Sequence, residues 1–262
     1  MILYNPIRIS VVSYLNSLPF VYGLENQAIR SEIILEKDIP SECANKIIER
    51  RSDIGLVPVA ILPSMPEYYF AGEFGIAADG DVQSVLLLSE VPLSSIQKIY
   101  LDYQSRTSVM LARLLCSGFW NIKPFFENAS PGFEELISGD TAAVVIGDRA
   151  LIKRKKYSHV YDLAGEWKKF TGLPFVFAAW VSNHKLPDDF AGRFNEALSF
   201  GVNHIREMVA EMPEGTLEKQ ELLDYLLHRI KFRLDDRMNE GLELFLKMIR
   251  RENETELSKL RA

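Results

Sequence analysis

Apolar runs alternate with amphipathic stretches along the first part of the chain, and then the alternation stops. Residues 8–15 (RISVVSYL) form a nearly continuous apolar run, as a strand covered on both faces requires. Similar runs predict strands over 31–37, 53–59, 84–89, 98–102, 123–128, 141–148, 159–164 and 175–182. Between them, helical spacing and boundary residues predict helices over 40–51, 105–119, 131–139 and 165–172. A short helical turn running to Met65 follows the 53–59 strand. Beyond Ser182 only helices are predicted, over 187–212, 216–234 and 237–253, followed by a charged tail that should fray.

Strands alternating with helices point to an α/β protein with mainly parallel sheets. A chain of 262 residues suits two lobes of roughly 100–150 residues each. The pattern places lobe one at 1–91 plus 179–262 and lobe two at 92–178, with a cleft between them. The expected hinges lie near 87–92 and 175–180, where extended segments cross.

Composition narrows the partners. A net charge of −6 gives no general attraction for nucleic acid or for an anionic membrane, so neither is expected as a partner. No run approaches the roughly 20 apolar residues of a membrane span. Met1 is followed by ILYNPIRISVV, which lacks the pattern of a secretory signal, and the default compartment is cytoplasmic. Cys43 and Cys116 lie far apart and make neither a disulfide framework nor a zinc site, so both are expected as reduced thiols. Oligomeric state is left open.

In open α/β sheets, ligands bind beyond the carboxyl ends of strands, so the chemistry is sought there. After the first strand comes Tyr14-Leu15-Asn16-Ser17, where Asn16 either caps the next helix or faces a ligand. Ser105, Thr107 and Ser108 open a helix directly after a strand. They make either an anion site or a well-capped helix start. Arg106 between them either clamps a carboxylate or is solvated. Thr171, Gly172 and Leu173 form a polar turn that either meets an anion or simply stops a helix. Ser84 starts a strand, and Gly147-Asp148 ends one, with Asp148 either orienting a ligand or capping a turn. No nucleophile elbow, P-loop or dinucleotide fingerprint is present. His159, His184, His204 and His228 lie off the predicted cleft loops and no pair has metal-ligand spacing.

These features alone describe a two-lobed binder of a small anionic ligand. The strings SYLNSLPF, SDIGLVPVAIL, GDVQSVLLLS, LDYQSRTSVMLARLL, AAVVIGDRAL and YDLAGEWKKFTGLPFVFAAW occur in order over most of residues 8–182. Together they resemble the chorismate dehydratases of the futalosine route to menaquinone. The resemblance implies a periplasmic-binding-protein-like type II fold used as a cytoplasmic enzyme. It implies that chorismate loses water to give 3-[(1-carboxyvinyl)oxy]benzoate, with no metal or organic cofactor. It carries functional positions onto Asn16, Ser84, the 105–108 turn and the 171–174 turn. A sister family, the dihydroxynaphthoate synthases, typically has Ile-His-Glu where this chain has Ile146-Gly147-Asp148. That histidine is a base, which Gly147 cannot replace. A non-catalytic solute-binding protein of the same fold is the other alternative.

Overall fold

In a computed structural model, which describes residues 6–215 and 217–260, the strands sort into two sheets. The chain begins β1 (Ile7–Val12), α1 (Leu18–Asn26), β2 (Ile33–Asp38), α2 (Pro40–Ile48), β3 (Ile54–Pro58) and β4 (Tyr69–Ala78). It then builds β5 (Val85–Ser89), β6 (Lys98–Leu101), α3 (Thr107–Gly118), β7 (Phe125–Asn128), β8 (Thr141–Ile146), α4 (Asp148–Lys153), β9 (His159–Asp162) and α5 (Leu163–Thr171). It returns through β10 (Phe175–Ser182) to α6 (Asp188–Asn203), α7 (Ile205–Glu211), α8 (Lys219–Asp224), β11 (Lys231–Arg233) and α9 (Asp236–Leu260). The first sheet has the order β11-β4-β10-β3-β1-β2 and the second β7-β6-β8-β5-β9.

Both sheets are mixed rather than mainly parallel. β1 pairs in parallel with β2 and β3, whereas β10 runs antiparallel to β3 and β4. In the second sheet β5 is antiparallel to both of its neighbours. An apolar run shows that a strand is covered, not which neighbour it pairs with, so strand direction was beyond the pattern. For the same reason sheet membership shifts the crossings. β5 belongs to the second sheet and β10 to the first, so the chain passes over at 79–84 and returns at 172–174. The hinges expected at 87–92 and 175–180 begin inside strands instead.

Other differences are local. The 69–78 strand carries Gly72 and Gly75, which hide its alternation. The helix expected over 131–139 is one short turn, Phe133–Leu136. The helix expected over 216–234 is α8, a π-helical turn at Tyr225–Arg229 and then β11, where Phe232 is buried between exposed or half-buried neighbours. Residue 216, where that helix was expected to start, lies outside the described residues, as do residues 1–5. Among the described residues no helix is long and apolar enough to cross a membrane. Both cysteines are buried free thiols, and burial pushes each up to about 12.

Aromatic packing holds the first sheet to its helices. Trp180 on β10 meets Phe20 of α1 and Phe194 of α6 edge to face, at 5.7 and 5.2 Å. α1 and α6 touch through Gly23 and Gly201. A Cβ on Gly23 would lie 1.9 Å from the Ala197 carbonyl oxygen, and one on Gly201 would lie 1.8 Å from that of Pro19. This close approach fixes the start of α1, two residues beyond Asn16.

The first crossing is also held. Gln83 adopts a left-handed φ of 65°, and its N–H donates to Asp162 Oδ2 at 2.6 Å. Asp162 Oδ1 accepts the Ala164 and Gly165 N–H groups at 3.1 and 3.2 Å, capping α5. Burial raises the Asp162 carboxyl to about 6 against the pull of these backbone donors. An unfolded aspartate titrates near 3.9. The folded state therefore holds the proton more tightly, so this group favours folding below about 4 and the contribution is lost as pH rises through about 6. Asp162→Asn keeps a cap and removes the titration. From pH 5 to pH 7, wild-type stability relative to the variant should fall by about 1 kcal/mol, read from urea unfolding at both values. A gap that is constant with pH contradicts the raised value.

Candidate functional site

The carboxyl ends of β1, β3 and β8, the first crossing segment, the middle of β10 and the start of α3 converge on one cavity. Its free space is about 520 Å³, part of it open to solvent. Polar groups on the wall come from Tyr14, Asn16, Ser17, Ser84, Ser105, Thr107 and Ser108. The rest is apolar or backbone, including Gly147, Pro58, Ile76 and Phe177. Among the described residues no Asp, Glu, Lys, Arg or His lines it.

The sequence candidates divide at this wall. Tyr14, Asn16, Ser84, Ser105, Thr107, Ser108 and Gly147 are brought together on it. Ser105 also caps: its Oγ accepts the Ser108 N–H at 3.0 Å. The N-terminus of the twelve-residue α3 therefore abuts the cavity, where its free N–H groups and dipole favour an anion.

The remaining candidates lie elsewhere. Arg106 is exposed and donates to Asn45 Oδ1 at 2.8 Å, bridging α3 to α2 rather than facing the cavity. Asp148 sits beside a neighbouring pocket, where its Oδ1 accepts the Leu15 N–H at 3.2 Å. Burial raises its carboxyl above the usual range. Thr171, Gly172 and Leu173 form a helix stop. Gly172 has a φ of +76° and its N–H donates to the Lys168 carbonyl at 2.8 Å. Thr171 Oγ1 donates to the Trp167 carbonyl at 2.9 Å and accepts the Leu173 N–H at 3.2 Å. The Gly172 carbonyl accepts from Arg237 at 2.9 Å, and none of the three residues lines the cavity. Among the described residues no three potential metal ligands stand together.

Several residues that the sequence did not single out support the wall. Asp102, at the end of β6, is buried and accepts from Arg149 at 2.7 and 2.9 Å and from the Ile146 N–H at 3.1 Å. Arg149 also reaches Glu134 Oε1 at 2.6 Å and Gln104 Oε1 at 3.1 Å. The Tyr14 hydroxyl donates to that same Gln104 oxygen. Burial, and next the Asp102 charge, push the Tyr14 phenol far above its ordinary value, so it stays neutral. Tyr225 of the π-helical turn donates to Ser84 Oγ at 2.8 Å. Asp102 and Gln104 flank the hydroxyl turn and carried a local clue. Tyr225 sits in an amphipathic helical stretch and carried none.

The two sheets close over the cavity through hydrogen bonds from one to the other. Besides Tyr14–Gln104, Leu15–Asp148 and Arg106–Asn45, the Ala60 N–H donates to Thr107 Oγ1 at 3.1 Å. Gly147 shapes the floor with a φ of 63° and ψ of −146°, a region only glycine enters readily. A Cβ there would stand 3.0 Å from the Tyr14 ring.

The geometry has counterparts. A protein-family model described as menaquinone biosynthesis matches residues 7–251. A chorismate dehydratase from Thermus thermophilus is 30% identical over 196 residues, covering 66% of this chain and 70% of that protein. A chorismate dehydratase from Campylobacter jejuni is 28% identical over 172 residues, covering 64% of this chain and 63% of that protein. Among solved structures, a Candida albicans protein described as having the generic periplasmic binding protein structural fold superposes with a TM-score of 0.65. It is 12% identical, and the match covers 94% of this chain and 90% of that one, so it speaks for the fold alone. With a model matched over nearly its whole length, the chain belongs to the menaquinone biosynthesis family, on a periplasmic-binding-protein-like fold.

Proposed function

We propose that the protein is a chorismate dehydratase, a lyase of the futalosine route that eliminates water from chorismate to give 3-[(1-carboxyvinyl)oxy]benzoate. The neutrality of the cavity wall carries the reading within the family. Hydroxyls, one amide and the start of α3 suit a ligand with carboxylates. Loss of water makes the ring aromatic, so the reaction is strongly driven and needs little acid–base power from the protein. What it needs is one geometry held against competing breakdown of the substrate.

In the proposed step the enolpyruvyl carboxylate of the substrate takes the proton from ring C3. The electron pair left behind expels the ring hydroxyl, the C–O bond breaks, and the proton leaves with it as water. Asn16 holds the enolpyruvyl side and Ser84 hydrogen-bonds a carboxylate or the departing oxygen. Asp148 is the protein-side rival for the proton. Its position off the wall, tied to the Leu15 N–H, favours the substrate's own carboxylate. The unpaired, buried Cys43 and Cys116 fit a reducing compartment.

Two other readings are weaker. A dihydroxynaphthoate synthase would need its histidine at Gly147, where the backbone is glycine-like and the Tyr14 ring already fills the space. A solute-binding role draws support from the fold likeness, but the two named relatives are enzymes by description.

Incubation with chorismate, followed by chromatography of the products, should show the enolpyruvyl benzoate accumulating catalytically. Stoichiometric binding without turnover would support the solute-binding reading. Asn16→Ala should lower kcat/KM by about 10²–10³-fold, the usual cost of losing a polar group that holds the reacting centre, with the fold retained. Full activity in that variant would return Asn16 to helix capping. Gly147→Ala should cost about 1–3 kcal/mol of stability through backbone strain, and a loss below 0.5 kcal/mol, on the order of a neutral surface change, would contradict the geometry.

A further inference from the structure

Tyr225 is 2% exposed and makes no part of the cavity wall, yet its phenol oxygen ends 2.8 Å from Ser84 Oγ. It opens the π-helical turn that follows α8, a departure from α geometry that often accompanies functional sites. The phenol donates to Ser84. Burial pushes Tyr225 far above the ordinary tyrosine range, so the proton is present at every working pH. The Asn16 side chain also bears on the phenol oxygen.

A serine hydroxyl has one proton and two lone pairs. With one lone pair taken by the Tyr225 proton, the Ser84 proton cannot point back along that line. Ser84 lines the cavity, so its proton is free to turn toward a ligand there. The order Tyr225, Ser84, ligand then forms a chain of donors running one way, each bond strengthening the next.

We propose that Tyr225 is a positioning residue, donating its hydroxyl to Ser84 so that Ser84 meets the ligand as a hydrogen-bond donor aimed at a carboxylate or departing oxygen. This rests on the dehydratase reading for its substrate and reaches beyond it in assigning the orienting group. Ser84 is thereby selective for an acceptor, and Tyr225 acts only through it.

The test is a double-mutant cycle with chorismate as substrate. Tyr225→Phe should lower kcat about tenfold with KM changed less than about twofold, the mark of an interaction made in the transition state. In a Ser84→Ala background the same change should cost less than about twofold, because the group it orients is gone. An equal loss in both backgrounds, or no loss in the first, overturns the proposal. A protein carrying 3,5-difluorotyrosine at 225 keeps the shape and the O–H, and serves if Tyr225→Phe does not fold. Its kcat should change at least about threefold with Ser84 present and not with Ser84→Ala, and any other pattern is contrary. If the wild type does not turn over chorismate, the dehydratase reading fails. The buried Tyr225 hydroxyl proton is then read by NMR. It should move in Ser84→Ala, and an unmoved resonance overturns the orienting bond.

Discussion

Asp162 ties the chain's passage between its two sheets to the start of α5. One carboxylate holds the left-handed Gln83 through its N–H and caps the helix through two more. The next residue is Ser84, so this clamp decides where the hydroxyl stands relative to Asn16. Asn16 is placed from the other side, by β1 and by the Gly23–Gly201 contact that fixes α1. Neither sheet makes the cavity alone. The hydrogen bonds of Leu15 to Asp148 and Ala60 to Thr107 keep the two contributions together.

The wall that results carries neutral polar groups on a largely apolar surface. Charges stand just behind the wall, where Arg149 is shared among Asp102, Glu134 and Gln104. Asp102 and Glu134 are buried, and their pairing with the half-buried Arg149 occupies these charges within the protein. What faces a ligand is a set of fixed dipoles: hydroxyls, an amide and the start of α3. Such a site suits a reaction whose own aromatisation provides the drive, where the protein chooses a path instead of supplying a base.

Much of this was legible in the sequence because of where chemistry must sit in an α/β sheet. Asn16, Gly147 and the 105–108 turn follow predicted strands, and strand ends converge. The same rule is silent on direction. It could not tell that β5 belongs to the second sheet, or that 231–233 leaves a helix to become an edge strand beside β4. It was equally silent on the 171–173 turn, since Thr-Gly-Leu-Pro reads alike as an anion site and as a helix stop. In the structure Gly172 takes the left-handed conformation of a helix stop. Tyr225 was invisible for a different reason. A tyrosine among leucines on an amphipathic stretch looks like packing, and only the fold shows its hydroxyl reaching Ser84, 141 positions away.

The central claim is that the substrate, not the protein, supplies the proton acceptor in a neutral cavity. A crystal structure with chorismate bound, using the Ser84→Ala protein to slow turnover, tests it most directly. The account predicts the enolpyruvyl carboxylate within about 3–3.5 Å of ring C3, with Asp148 still accepting the Leu15 N–H. An Asp148 carboxylate turned into the cavity and nearest to C3 would contradict it.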